Sequence, residues 1–253
     1  MFAKVKTLSS FTVIFIHGNS SKANVWQNQL ESKLLSPFNL LALDLPGHGK
    51  SLNSGLYSIT DLVETLIENI GPYQNVVLVG HSLGGHLAIE IMPRLKNCVG
   101  LLIFGAPPVK SPLNLNEAFL PDERMALLFQ KRLTTKEAVS FAEIVCNDFQ
   151  KQKFDVLGAI QNTDSKFRED IGVSVNMGEL SDEVEILKNS SVPIAILHGM
   201  EDDLINYNYL EELHIPRLWK EKVHKIEGCG HSPHLEKPIE FNQLLFQFLS
   251  DLT

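Results

Sequence analysis

The run Val76-Val77-Leu78-Val79-Gly80-His81-Ser82-Leu83-Gly84-Gly85 constrains this chain more than any other stretch. Four apolar β-forming residues lead into Gly-His-Ser-Leu-Gly, and a helical pattern follows at once, from His86 to Leu95. The pattern predicts a strand, a tight turn and a helix, with a serine at the apex. A serine that attacks a carbonyl must stand clear of its sheet on a sharp, strained turn. Gly80 and Gly84 are then small because strand and helix pass within contact distance there. The helix start beyond Ser82 would aim backbone N–H groups at the space where an oxyanion forms. Gly-x-Ser-x-Gly also arises by chance in glycine-bearing loops, and the flanking strand and helix are what argue for a nucleophile turn.

The flanking sequence repeats this rhythm. A short opening strand is expected around Ala3–Lys6. Thr12–Ile16 reads as a continuous apolar strand, which suits a parallel sheet covered on both faces. It ends in His17-Gly18-Asn19-Ser20-Ser21, and Asn24 to Leu35 reads as an amphipathic helix carrying Trp26, Leu30 and Leu34. Leu40–Leu43 is a further strand, leading into Asp44-Leu45-Pro46-Gly47-His48-Gly49-Lys50-Ser51. Ile59–Ile70 is helical and stops at Gly71-Pro72, and Val99–Phe104 is the strand after the serine helix. The alternation predicts an α/β fold with a mostly parallel, doubly wound sheet.

From residue 109 to 188 the rhythm changes to helical patterns alone, at Asn116–Lys131, Thr135–Asn147, Lys151–Ile160 and Glu183–Leu187. Such a segment is too long for a structureless loop. It is expected to form a helical cap inserted into a core domain of residues 1–108 and 189–253. Strands at Ile194–Leu197 and around Lys222–Ile226, then a helix from Pro238 to Leu249, complete the core.

Composition narrows the partners. A net charge of −8 without a Lys/Arg cluster argues against nucleic acid. The longest apolar runs are too short to cross a bilayer, so no membrane partner is expected. The N-terminus lacks the long apolar stretch and small-residue cleavage site of a signal peptide. The three cysteines, Cys98, Cys146 and Cys229, stand at unrelated spacings and read as free thiols, which suits the cytoplasm. Nothing in the sequence sets an oligomeric state.

A serine hydroxyl needs a general base, and the base an orienting carboxylate. His231, in Glu227-Gly228-Cys229-Gly230-His231-Ser232-Pro233, follows the last strand at the sheet edge and is the candidate base. The turn His198-Gly199-Met200-Glu201-Asp202-Asp203 offers three adjacent acids. Asp202, third after Gly199, is preferred, with Asp203 as the second choice. The loop Gly105-Ala106-Pro107-Pro108 supplies no acid. The chain order Ser82, Asp202, His231 is that of the α/β-hydrolase template. The amides of Leu83 and Asn19 are the expected oxyanion donors, beside a Gly18 that lets substrate approach the backbone. Ser20 or Ser21 can cap the helix that follows. Gly18, His81, Phe119 and Phe141 are expected against the substrate. Neither His-x-His nor His-Glu-x-x-His occurs, so no metal site is expected, and no organic cofactor is required. His86 is expected to pack or hydrogen-bond along its own helix, and Cys229 to be a small loop residue.

These motifs in this order resemble those of the capped α/β-hydrolases. His17-Gly18-Asn19-Ser20-Ser21, Leu45–Ser51, Ser82-Leu83-Gly84-Gly85-His86, Pro107-Pro108-Val109 and Leu218-Trp219 resemble more narrowly the α/β-hydrolase type of N-acyl-homoserine lactonase. The chain differs from that type in carrying Asp202 where it has Glu and His81 where it has Trp. The resemblance implies a serine hydrolase cleaving a small-molecule carboxylic ester or lactone through an acyl-enzyme. It leaves open a general carboxylesterase or thioesterase of the same fold, and a weakly catalytic hydrolase-fold ligand receptor.

Overall fold

The computed structural model describes residues 2–4, 11–51, 53 and 55–252. Its centre is a seven-stranded sheet: β1 (Phe2–Lys4), β2 (Thr12–Ile16), β3 (Asn39–Leu43), β4 (Val76–His81), β5 (Cys98–Phe104), β6 (Ile194–Gly199) and β7 (His224–Ile226). The spatial order is β1-β3-β2-β4-β5-β6-β7, with β1 antiparallel on β3 and all other neighbours parallel. Of the opening strand expected at Ala3–Lys6, Val5 and Lys6 lie outside the described residues.

Alternate residues of each strand feed two apolar layers. Ile14, Ile16, Leu41, Leu78, Leu101, Ile103 and Ile196 pack into one, and Val13, Phe15, Leu40, Val77, Val79, Leu102, Phe104 and Leu197 into the other. Both faces are thus covered, which is why the strands read as unbroken apolar runs. The chain steps outward from β2 to β3, then returns across β2 to β4. The loops after β2 and β4 therefore diverge at the point where strand order reverses, the crevice in which open α/β sheets bind ligands.

Helices Ile59–Ile70 and Pro238–Asp251 lie where the patterns put them, and the helix expected over His86–Leu95 starts and ends earlier, as Leu83–Ile91. The first is closed by a capping box in which Ser58 and Asp61 satisfy each other's backbone amides. The helix expected over Asn24–Leu35 is only a 3-10 turn, Ala23–Trp26, and one α-turn, Gln27–Leu30. No side chain caps its start, and Trp26 is buried against Phe15 and Phe104. Between β5 and β6 the expected Asn116–Lys131 helix is split into Leu115–Ala118 and a 3-10 stretch, Glu123–Phe129. Pro121 lies in the gap and disfavours helical backbone at the residue before it. Lys151–Ile160 likewise resolves into a 3-10 turn, Phe149–Lys151, and a helix Val156–Asn162 capped by Asp155. The sequence reading missed the Ser165–Asn176 helix, whose start is capped by Asp164. Among the described residues no helix is long and apolar enough to cross a membrane.

Candidate active site

Ser82 directly follows β4 with φ 53° and ψ −124°, a left-handed conformation that a residue with a side chain adopts only at a cost of order 1–3 kcal/mol. The surroundings enforce it. The Ser82 amide donates to the Phe104 carbonyl at 3.0 Å, and the Ser82 carbonyl accepts from the Gly85 amide at 2.7 Å. A Cβ on Gly80 would land on the Gly84 carbonyl, and one on Gly84 on the carbonyls of Ile16 and His17. The two small positions are thus demanded by backbone crossing backbone, as the spacing predicts.

His231 reaches the same place from the opposite end of the sequence. Its Nδ1 donates to Asp202 Oδ2 at 2.9 Å, and Asp202 Oδ1 accepts from the Leu204 amide at 2.9 Å. Burial pushes the Asp202 carboxyl up, but His231 and these two hydrogen bonds outweigh it and hold the carboxyl below its ordinary value. Glu201 and Asp203 are exposed. A Cβ on Gly105 would sit 2.8 Å from His231 Cε1 and 3.1 Å from Nε2, so the bare glycine after β5 is the floor under the imidazole. Ser82 and His231 line one cleft, together with Gly18, Asn19, His81, Phe119 and Phe141. No hydrogen bond joins Ser82 Oγ to the imidazole in this structure; such contacts often tighten only around a bound substrate.

The expected oxyanion donors also reach the site. Asn19 and Leu83 both line the wider cleft next to Ser82, and among the described residues neither backbone amide donates to a protein acceptor. Asn19 is clamped by its side chain: Nδ2 donates to the Leu128 carbonyl at 2.7 Å, and Oδ1 accepts from Ser20 Oγ at 3.0 Å. Behind Ser20 stands Arg168, which donates to Ser20 Oγ at 3.1 Å and to the carbonyls of Gln130 and Lys131. Arg168 is 4% exposed, and burial lowers its pKa without removing its charge. Sequence reasoning missed this residue along with its helix. The one available signal was a basic residue beside Phe167 on the Phe167–Ile171 stripe.

The loop histidines are structural. His17 Nε2 accepts from the Leu45 amide and Nδ1 donates to the Gly18 carbonyl. His48 Nε2 accepts from the Ser20 amide and Nδ1 donates to the Pro46 carbonyl. One accepting and one donating nitrogen per ring means both are neutral, and burial agrees, holding His17 at about 4 and His48 well below 6.5. Asp44 finishes the loop pair by accepting from the Ala23 and Lys50 amides. His81 is fully buried, stacks on Phe104 at 4.9 Å, and donates through Nε2 to the His231 carbonyl. It therefore reaches the cleft more as a support for His231 than as an open wall. His86 corrects the expectation made for it: its partner is Glu183, across the fold, not its own helix. Cys229 is buried, its thiol pushed up to about 12 by burial. Among the described residues no group of three metal-ligating side chains forms.

The wider cleft is mostly apolar. Val109, Leu115, Met125, Leu128, Phe129, Ile171, Val175 and Leu180 line it from the segment between β5 and β6, facing Ser82, Leu83 and Ile59.

Comparisons with known proteins bear on the family and the fold. The family model described as "Alpha/beta hydrolase family" matches residues 13–244. A solved structure of a variant of the N-acyl homoserine lactonase AidH, complexed with N-hexanoyl homoserine lactone, superposes with a TM-score of 0.90. It is 27% identical, over 99% of this chain and 94% of that one. A pimeloyl-acyl-carrier-protein methyl ester esterase of Nitrosomonas europaea is 25% identical over 90% of this chain and 92% of its own. A Haemophilus influenzae protein, provisionally named a 2-succinyl-6-hydroxy-2,4-cyclohexadiene-1-carboxylate synthase, is 26% identical over 91% and 94%. With a family model spanning nearly its whole length, the chain belongs to the alpha/beta hydrolase family.

Proposed function

We propose that this protein is a serine hydrolase that opens N-acyl homoserine lactones, or cleaves carboxylic esters of similar shape, through an acyl-enzyme. The observation that carries the reading is the 2.9 Å bond from Asp202 to an imidazole lining the same cleft as a strained Ser82. In this reading Ser82 Oγ attacks the carbonyl while His231 Nε2 takes its proton. Asp202 holds the Nδ1–H tautomer and stabilises the imidazolium. The amides of Asn19 and Leu83 receive the oxyanion. His231 then protonates the leaving alkoxide, which in a lactone stays tethered to the product, and activates water against the acyl-enzyme. Residues 109–188 act as the cap that shelters an apolar acyl group. No metal or cofactor enters any step, and the chemistry suits a cytoplasmic enzyme acting on a diffusible small molecule.

The lactone is favoured over an open ester by the AidH likeness, which covers almost the whole chain. The esterase relative supports open esters as the second reading. Titrating the carboxylate released from N-hexanoyl homoserine lactone and from ethyl hexanoate separates them. Ser82→Ala should lower kcat by about 10⁴–10⁶-fold on whichever is the substrate. Turnover surviving Ser82→Ala would exclude the mechanism. A burst without steady turnover would mark a ligand receptor instead, and esters cleaved with lactones untouched would exclude the lactonase.

A further inference from the structure

His86 lies in the first turn of the helix that follows Ser82, and its backbone amide donates to the Ser82 carbonyl at 3.2 Å. Its Nδ1 is fixed by Glu183, 2.9 Å from either carboxylate oxygen. Glu183 is itself fully buried and takes the Val109 amide at 2.8 Å. Burial pulls the His86 pKa down, but the Glu183 charge and hydrogen bond raise it overall. The buried Glu183 carboxylate thus favours the doubly protonated ring, whose Nδ1–H is spent on Glu183 while its Nε2–H meets no protein acceptor among the described residues. The side chain is 11% exposed, and it lines the wide apolar cleft beside Ser82. Apart from Asn19 and Ser82, it is the one polar side chain among the residues lining that cleft.

The two clefts can be assigned to the two halves of a substrate. The leaving oxygen must be within reach of His231, which lines the narrow cleft and not the wide one. The acyl half therefore extends into the wide cleft, past His86. Resting on the serine-hydrolase reading above, we infer that His86, oriented by Glu183, recognises a hydrogen-bond acceptor oxygen on the acyl side of the substrate, two to three atoms from the scissile carbonyl. Acceptors at that distance occur in N-acyl amino acid esters and lactones and in 3-oxoacyl esters, and are missing from plain fatty acyl esters. An apolar cleft accepts the hydrocarbon of all of them alike, so a single donor at this depth decides between them. A plain chain would also strand that donor without a partner, a penalty that enforces selection.

The test compares two esters of equal chain length, ethyl N-hexanoylglycinate and ethyl nonanoate. Wild-type kcat/KM should favour the first by tenfold or more. His86→Leu, and in case that variant misfolds His86→Gln, should cut the preference at least threefold, whereas a purely structural tie between His86 and Glu183 would lower both rates together. A wild-type ratio near one, or a ratio unchanged in a folded His86 variant, overturns the inference. Failure of the serine-hydrolase reading looks different: neither ester would then be cleaved in a Ser82-dependent way.

Discussion

All nine histidines lie outside residues 109–188, while six of the fourteen phenylalanines lie within them. In the proposed reaction the sheet domain handles the protons and the helical segment shelters the hydrocarbon. The two regions build their parts of the site by different means. At the sheet edge, positions follow from backbone: a strained serine, glycines pressed against carbonyls, and loops at the strand-order reversal. In the segment, the cleft is a set of interchangeable apolar side chains from several short helices and turns. Small changes at the first region should therefore act steeply on chemistry, and changes at the second gradually on selectivity.

The steepest test is Asp202→Asn. The amide keeps the size of the side chain but removes the charge and disturbs the tautomer that Asp202 imposes on His231. Expected is a fall in kcat of about 10⁴-fold at pH 7 with an unchanged melting temperature. A loss under tenfold would mean that His231 is not oriented for catalysis by this carboxylate.

How far each region was legible follows from the same contrast. Ser82, His231 and Asp202 could be read because backbone geometry demands small or special residues around them, and such demands leave spaced motifs. The Leu45–Ser51 loop was visible too, although its purpose was not. Asp44, His17 and His48 bind loop amides, a role that no spacing announces. Arg168 and Glu183 were invisible because their partners are 148 and 97 residues away in sequence. The Ser165–Asn176 helix was missed because it is polar overall and its buried positions include Arg168, Gly172 and Ser174. Pro121, in contrast, was in plain view, and the split it causes at Asn116–Lys131 was readable in principle.

A second test separates the regions by pH. His17 and His234 are held neutral in the fold at about 4 and about 3, in both cases by burial first. Unfolded, each would take a proton near 6.5. Their contribution is therefore complete above about pH 6.5 and is lost as pH falls toward 4, because the unfolded chain then binds the extra protons. For His234 alone the loss between pH 7 and pH 4.5 is about 2–3 kcal/mol. Neither of its ring nitrogens has a partner among the described residues, and Trp26, Phe104 and His81 surround it. His234→Leu should thus narrow the pH gap in urea-unfolding stability by that amount. An unaltered gap would place the acid sensitivity elsewhere.

Arg168→Met asks whether the two regions are coupled. The variant keeps the buried stem but removes the donor to Ser20, behind Asn19, and to the carbonyls of Gln130, Lys131 and Ile160. Unfolding stability should fall by about 2 kcal/mol. If the link from Arg168 through Ser20 to Asn19 positions an oxyanion donor, kcat should fall several-fold more than KM rises. Equal stability loss with unchanged kcat would confine Arg168 to holding the segment together.

The gentlest test is at the hydrocarbon wall. Val175, on the Ser165–Asn176 helix, lines the wide cleft and not the narrow one that contains His231. A phenylalanine there would take up space that the far end of a long acyl chain needs, and leave the reacting end untouched. Each methylene kept from burial costs about 0.8 kcal/mol. Loss of two such contacts should lower the decanoyl-to-butanoyl ratio of kcat/KM by about tenfold, a discrimination typical of apolar pockets. The readout is the ratio across a chain-length series rather than any single rate. If Val175→Phe scaled every member equally, the acyl chain would have to lie somewhere other than this cleft, and the division between a proton-handling sheet edge and a hydrocarbon-holding segment would fail at its weaker half.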